Sequence, residues 1–194
     1  MQDKIKTLFE ESISVKKAFL KGHLKLIEEV ARAIASSLNE GYKVMIFGNG
    51  GSACDASHMA AEFVNRFKKE RPGLPAIALN TDMAIITAIS NDYDFSEVFA
   101  RQLKTLGQKG DIAIAISTSG ASKNVLKAVT AAKKKGIKTI AFTGSKGQKF
   151  ASMCDFAFVV PSEDTPRIQE THITLAHALC HMVEEILFGL NGGQ

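Results

Sequence analysis

Two segments of the 194-residue chain carry side chains that could hold a metal ion or move protons. His58 and Glu62 lie four residues apart, so a helix would place them on one face. Gln169, Ile173 and His177 repeat this spacing near the carboxyl end of the chain. Two imidazoles, a carboxylate and an amide oxygen would make a zinc site, although glutamine is an unusual ligand. The same groups could also act as acid and base without a metal.

Each half of this set has a simpler interpretation when it is considered alone. A histidine and a glutamate at this spacing usually form a weak surface ion pair. A single histidine on a helix is more often structural or exposed than functional, and His172 and His181 compete with His177 for any role on the last segment. The functional interpretation is stronger for the whole set, because each half places its polar groups on one face of its own helix.

Two polar loops precede predicted helices, GNGGS at 48–52 and STSGAS at 117–122. A loop that opens a helix presents unpaired N–H groups and the positive end of the helix dipole, which suits phosphate. The second loop has four hydroxyls, whereas capping a helix needs one, so it predicts phosphate binding. The first loop also matches the loose dinucleotide fingerprint, but Asn80 and Thr81 follow the second strand, where a nicotinamide enzyme needs an acidic residue.

Alternating strand and helix patterns predict an α/β fold with a parallel sheet covered on both faces. Short apolar runs predict strands at 43–47, 76–79, 111–116, 138–143 and 155–160. Helices are predicted at 53–68, 82–90, 94–107, 122–135, 146–152 and 166–188. We expect one domain over 1–194, with a helical hairpin at 1–40 that bends near Gly22 and an α/β sandwich at 41–194. Its ligand site is expected beyond the carboxyl ends of the strands, where strand order reverses.

The composition is ordinary for a soluble globular protein, with 45% hydrophobic and 23% charged residues. No apolar run is long enough to span a membrane, and the charged start of the chain does not resemble a signal peptide. Three cysteines without CxxC spacing indicate reduced thiols and a cytoplasmic protein. The net charge is +4, and the basic runs at 133–135 and 66–71 are interpreted as solvated helix ends, not as a nucleic-acid surface.

Five stretches of the sequence resemble the phosphoheptose isomerase family of sugar-isomerase (SIS) domain proteins: GNGGSACDASHMAAEF, ALNTD, AISNDYDF, ISTSGASKNVL and RIQETHITLAHALCH. The resemblance covers nearly the whole chain. It implies a flavodoxin-like five-stranded parallel sheet and a homotetramer with active sites at subunit boundaries. It also implies conversion of sedoheptulose 7-phosphate to D-glycero-D-manno-heptose 7-phosphate through an enediol or enediolate, the first step of heptose biosynthesis for surface polysaccharide such as lipopolysaccharide.

The resemblance assigns roles by position. It implies that Glu62 is the base and His177 the acid. It implies one zinc ion per subunit, with the ligands His58, Glu62, Gln169 and His177. It implies substrate contacts from Asn49, Gly50, Gly51, Ser52, Glu62, Asn91, Asp92, Ser117, Thr118, Ser119, Ser122 and Gln169. The two roles of Glu62 compete, because a glutamate bound to zinc is a weaker base.

A second class of function remains open, since the same fold includes non-catalytic relatives. These are sugar-phosphate sensors and a replication-initiator-associating protein that shares the GNG, ALNTD and RIQE stretches. A binding module has no need of His58, Glu62 and His177 together, so their presence favours the enzyme.

Overall fold

The computed structural model describes residues 1–189 and has an α/β fold around one five-stranded parallel sheet. The strands are β1 Val44–Gly48, β2 Ala76–Ala78, β3 Ile112–Ser117, β4 Lys138–Gly144 and β5 Phe156–Val160. The helices are α1 Gln2–Asn39, α2 Gly51–Val64, α3 Met83–Asp92, α4 Val98–Leu106, α5 Lys123–Lys134, α6 Gln148–Ala151 and α7 Thr165–Phe188. The predicted strands and the helices after residue 40 are present with shifted ends. The predicted domain end at residue 194 lies outside the described residues.

The strand order is β2-β1-β3-β4-β5, which is the flavodoxin-like order. Strand order reverses between β1 and β3, and Gly48 at the end of β1 is in register with Ile116 near the end of β3. The loops that follow these two strands are therefore neighbours at the carboxyl edge of the sheet. This confirms the predicted fold class and places the two polar loops where such folds bind ligands.

Strand side chains alternate between two hydrophobic cores, one on each face of the sheet. Ile114 and Phe142 belong to the core that α1, α2 and α7 cover, whereas Ala113 and Ala115 belong to the core beneath α3, α4, α5 and α6. The apolar runs of the sequence arise because both faces of the central strands are buried. The sheet is thus a rigid platform between two helical layers.

The predicted bend near Gly22 is wrong, because α1 is one helix of 38 residues and the amino-terminal segment is not a hairpin. A single glycine costs a helix only about 1 kcal/mol and does not end it. Gly22 is exposed, and a Cβ built there would meet no atom within 4 Å. Val30 and Ile34 pack on the core, whereas Leu24 is 65% exposed.

The amino-terminal part of α1 keeps a row of large apolar side chains on its surface. They are about half exposed or more: Ile5, Leu8, Phe9, Ile13 and Leu20. In residues 1–189 no helix combines the length and the apolar character that crossing a bilayer would require. A row of exposed apolar side chains such as this one is typical of a surface that contacts another chain.

The two basic runs have different environments. Lys133 and Lys134 lie in the last turn of α5, just before Gly136, which confirms the helix-end interpretation. The interpretation is wrong for Arg71, whose side chain is 2% exposed and pairs with the fully buried Glu184. The partner lies 113 residues away in the chain, so no local pattern could indicate it.

Candidate active site

Two helices bring His58, Glu62 and His177 together. α2 begins directly after the loop that follows β1, and it packs against α7, which carries His177. The Nε2 atom of His58 is 3.0 Å from Oε1 of Glu62 and 3.4 Å from Nε2 of His177. One potential ligand atom from each residue lies within 4.8 Å of the other two. The helical spacing of the sequence therefore predicted a real cluster.

The donor set of this cluster fits a zinc ion. Two imidazole nitrogens and a carboxylate oxygen are ordinary zinc ligands, and tetrahedral bonds of about 2.0–2.1 Å place such ligands roughly 3.3 Å apart. The separations of 3.4 Å between the two Nε2 atoms and 3.0 Å between His58 and Glu62 are close to that spacing. The side chains of His58 and Glu62 are 48% and 24% exposed, so solvent and a ligand can reach them.

Gln169, the predicted fourth ligand, lies on α7 at the start of the same stripe. Its carboxamide packs against Gly51 in the first loop, because a Cβ at Gly51 would come within 2.9 Å of its Cδ atom. The absence of a side chain at Gly51 is thus what makes room for the amide. Gln169 thus joins the first loop to α7, the helix that carries His177.

The competing histidines of α7 have other surroundings. His172 is fully buried beside Phe142, with Nε2 3.4 Å from the carbonyl oxygen of Thr143. Burial lowers the pKa of His172 to about 4, against a smaller opposing effect of this hydrogen bond. The ring of His181 lies near that of Phe67, with 6.1 Å between their centroids. Neither histidine belongs to the cluster of His58, Glu62 and His177.

The first loop is connected to the helix after the second loop by a reciprocal amide pair. Asn49 Nδ2 donates to Asn124 Oδ1 at 2.9 Å, and Asn124 Nδ2 donates to Asn49 Oδ1 at 2.9 Å. Gly50 has φ +56°, a conformation that favours glycine. Ser52 is buried and donates its N–H to the carbonyl of Asn49. Asn124, which the sequence did not single out, fixes the distance between the two loops.

The second loop, residues 117–122, is called the hydroxyl loop below, and its serine at the start of α5 does not act as a side-chain cap. Ser117 Oγ donates to Ser122 Oγ at 3.1 Å, and the Ser122 hydroxyl does not cap α5. Ser119 is exposed and accepts from the N–H of Ala121, while Thr118 is half-buried. Gly120 has φ +66° and permits the sharp turn between these hydroxyls.

Asn91 and Asp92 are the predicted substrate-binding residues that lie on α3. They lie exposed at the carboxyl end of α3, where Asn91 Nδ2 donates to Asp92 Oδ1 at 3.0 Å. In the described part of the chain, no side-chain hydrogen bond joins either residue to the cluster or to the two loops. Their predicted substrate contact stays a prediction.

Asp55 is a candidate functional residue that the sequence reasoning missed. It lies three residues before His58 and seven before Glu62, so the three side chains share one stripe of α2. Its Oδ2 atom is buried and has no hydrogen-bond partner among the described residues. Burial raises the pKa of Asp55 to about 6, while the neighbouring His58 opposes this. The spacing of the residues was the signal that could have found it.

The sheet order places the chain in the class of flavodoxin-like α/β domains with polar loops at the carboxyl ends of the strands, and comparison with known proteins identifies the family. A family model described as SIS domain matches residues 8–144. Phosphoheptose isomerase of Thermodesulfovibrio yellowstonii is 68% identical over 188 residues, covering 97% of this chain and 94% of that protein. The enzyme of the same name from Aquifex aeolicus is 53% identical, covering 96% and 98%.

A solved structure supports the same assignment. The structure of a phosphoheptose isomerase from Francisella tularensis superposes with a TM-score of 0.91 at 41% identity, covering 95% of this chain and 98% of that one. The chain belongs to the phosphoheptose isomerase family of SIS-domain proteins.

Proposed function

We propose that the chain converts sedoheptulose 7-phosphate to D-glycero-D-manno-heptose 7-phosphate, the first step of heptose biosynthesis for surface polysaccharide. The observation that carries this proposal is the cluster of His58, Glu62 and His177, which presents two imidazoles and a carboxylate together. A sensor that only binds a sugar phosphate has no need of such a cluster. The reaction also needs a binding site for the phosphate of the substrate, and the hydroxyl loop can supply it.

In this reaction a proton moves from C1 to C2 of the ketose through a cis-enediol. Glu62 is the base that removes the proton from C1 and returns it to C2. His177 is the acid that protonates the C2 carbonyl oxygen, and it recovers a proton from the C1 hydroxyl as the aldehyde forms. The Nε2 atoms of His177 and His58 are 3.4 Å apart, and His58 is in turn 3.0 Å from the Glu62 carboxylate, which supports action on one small reacting centre.

One zinc ion per subunit is part of the proposal. His58, Glu62 and His177 would hold it, with Gln169 as the fourth ligand. When bound, the ion supplies Lewis acidity to oxygen atoms of the sugar. Glu62 then has two competing roles, because coordination lowers the basicity of a carboxylate. Its Oε1 atom already faces His58, so ligand and base would use different oxygens or different moments of the cycle.

The remaining site residues bind and enclose the substrate. The hydroxyls of Ser117, Thr118, Ser119 and Ser122 hold the phosphate, and the first loop holds the sugar backbone. The exposed Asn91 and Asp92 contact the substrate of a neighbouring subunit, in a homotetramer with sites at subunit boundaries. The enzyme works in the cytoplasm, apart from nucleic acid and membrane.

The decisive experiment is incubation of the purified protein with sedoheptulose 7-phosphate. We expect formation of the aldose, detected by a coupled heptose kinase, together with exchange of a carbon-bound proton with solvent. Metal analysis of the protein as purified should give about one zinc per chain if the donor set acts as argued. Binding of the sugar phosphate without aldose formation would instead identify the chain as a sensor and refute the catalytic proposal.

A further inference from the structure

A buried ion pair joins the loop after α2 to the distal part of α7. The side chains of Arg71 and Glu184 are 2% and 0% exposed, and Nε of Arg71 is 3.0 Å from Oε1 of Glu184. Burying charges so completely is costly unless their hydrogen bonds are satisfied. The partners of these two side chains therefore show which parts of the structure the pair holds in place.

The carboxylate of Glu184 holds the loop that follows α2. Its Oε1 atom accepts from the N–H of Phe67 at 3.2 Å. Its Oε2 atom accepts from the N–H groups of Lys68 and Lys69 at 2.9 and 3.0 Å. Burial opposes ionisation, but these three donors and the guanidinium outweigh it and keep the pKa of Glu184 below its usual range. One charged carboxylate thus fixes three consecutive loop residues.

The guanidinium of Arg71 holds the end of α2. Nη2 donates to the carbonyl of Glu62 at 2.9 Å, and Nη1 donates to the carbonyls of Phe63 and Pro72 at 2.9 and 3.0 Å. Carbonyls in the last turn of a helix have no partner within the helix, and α2 has no basic residue there. Arg71 therefore completes the helix end and bonds directly to the backbone of Glu62.

The loop held in this way covers one member of the cluster. The ring of Phe67 lies against His177, with 5.7 Å between the ring centroids and 32° between the planes. Glu184 lies seven residues, or two helical turns, after His177, so both occupy one face of α7. The loop is anchored to that face at Glu184 and packs against it at His177.

We propose that Arg71 and Glu184 are positioning residues for the isomerisation, which set the backbone of Glu62 and, through Phe67, the ring of His177. This inference rests on the proposed function, and it concerns two residues whose described hydrogen bonds include none to the side chains of the cluster. A displacement of about 1 Å at a reacting group can lower a rate roughly 100-fold. Loss of the pair should lower kcat and leave KM nearly unchanged, because the hydroxyl loop keeps its contacts.

A matched control lies at the amino ends of the strands, opposite the carboxyl ends that carry the two polar loops. Asp111, just before β3, is also a fully buried carboxylate. It accepts from the N–H groups of Lys43 and Gln108 at 3.0 and 2.8 Å and from Nζ of Lys43 at 2.7 Å. Asp111→Asn therefore removes a comparable buried charge at the end of the sheet remote from the cluster.

The test compares Glu184→Gln with Asp111→Asn by thermal unfolding and by steady-state kinetics on sedoheptulose 7-phosphate. Both variants should unfold at lower temperature than the parent. Only Glu184→Gln should lower kcat, by tenfold or more, with KM within threefold of the parent. Equal kcat losses in the two variants, or parental kcat in Glu184→Gln, would overturn the proposal.

A second variant and a measurement that does not require turnover keep the test from depending on a single activity result. Phe67→Leu leaves both charges in place and should also lower kcat. In proton NMR, the imidazole signals of His177, assigned by their loss in His177→Gln, should shift in Glu184→Gln and stay at parental positions in Asp111→Asn. Parental His177 signals in folded Glu184→Gln would refute the positioning role. A parent protein that fails to isomerise the substrate would instead refute the proposed function, and the NMR comparison would still decide this inference.

Discussion

His172 makes the stability of the fold sensitive to acid. Its pKa is about 4 in the folded chain and 6.5 when exposed, so below pH 6.5 the unfolded chain binds a proton that the folded chain does not. The contribution of His172 to the free energy of unfolding should therefore become less favourable as the pH drops from 6.5 to 4, by roughly 3 kcal/mol. Urea unfolding between pH 7.5 and 4.5 should therefore show that the parent loses stability relative to His172→Gln as the pH falls.

The control for this prediction is His23→Gln, which removes a half-buried histidine on α1 and should keep the parental slope. Asp55 acts in the opposite direction, because its raised pKa makes the folded chain gain stability as the pH falls through about 6. That contribution is common to the parent and both variants. The same pH dependence in His172→Gln as in the parent would show that His172 does not contribute to the acid sensitivity.

The proposed catalytic pair can be tested one side chain at a time. Glu62→Gln and His177→Gln should each lower kcat by roughly 100-fold or more, because each removes a general acid or base. Their unfolding midpoints should stay near that of the parent, since both side chains are partly exposed. His181→Gln, one turn beyond His177, is the comparison variant and should keep most of the activity. Nearly full turnover in Glu62→Gln would contradict its assignment as the base.

At the residue scale, sequence could reveal side chains that share a helical face. The four-residue spacing of His58 and Glu62 was sufficient for this, and the three-residue spacing of Asp55 and His58 would have added Asp55 to the same face. The roles of Arg71 and Asn124 could not be predicted in this way. Their partners, Glu184 and Asn49, are distant in the chain and become neighbours only when the helices pack.

Among the elements, the hydroxyl loop should control affinity more than rate. Ser119→Ala and Ser122→Ala each remove a hydroxyl of the loop, and a hydrogen bond of this kind contributes about 1 kcal/mol. Because the phosphate is bound equally in the ground state and the transition state, KM should rise severalfold while kcat stays within about twofold. Thr130→Ala, on the exposed side of α5, should change neither constant. A fall in kcat at constant KM would place the serines in the chemistry.

The continuity of α1 leads to a prediction about stability. Gly22 is exposed in the middle of a helix, so Gly22→Ala should raise the free energy of unfolding by about 1 kcal/mol. Gly110→Ala is the contrasting variant, because Gly110 has φ +101° and a Cβ there would lie 2.5 Å from the ring of Tyr42. It should destabilise the fold. Destabilisation by Gly22→Ala, measured by urea unfolding, would indicate a bent helix in solution.

The elements themselves were largely predictable, and the exceptions have a physical cause. Buried parallel strands such as Ile112–Ser117 are recognisable as apolar runs because both of their faces are covered. The bend in α1 was wrongly expected because the penalty of one glycine is small beside the packing of Val30 and Ile34. The helix ends differ from the predicted ones by a few residues.

For the molecule as a whole, the exposed apolar side chains of α1 predict association. Ile5, Leu8, Phe9 and Ile13 are each at least half exposed on one helix, which fits the proposed homotetramer. The double variant Leu8→Glu with Phe9→Glu should reduce the molar mass measured by light scattering. Activity should fall with it, because the exposed Asn91 and Asp92 would lose the neighbouring site. Lys25→Glu, a charge change on the same helix, should leave the mass unchanged, and a monomeric parent would contradict the assembly.

The reciprocal amide pair of Asn49 and Asn124 has a consequence for which sugars can react. The two loops are hydrogen-bonded to each other at the end of a packed sheet. The distance between the phosphate-binding loop and the reacting carbons therefore cannot change to fit a different substrate. A shorter sugar phosphate would bind through its phosphate, but its carbonyl would not reach Glu62 and His177. Selectivity for the length of the sugar chain would then be a property of the fold that exists before substrate binds.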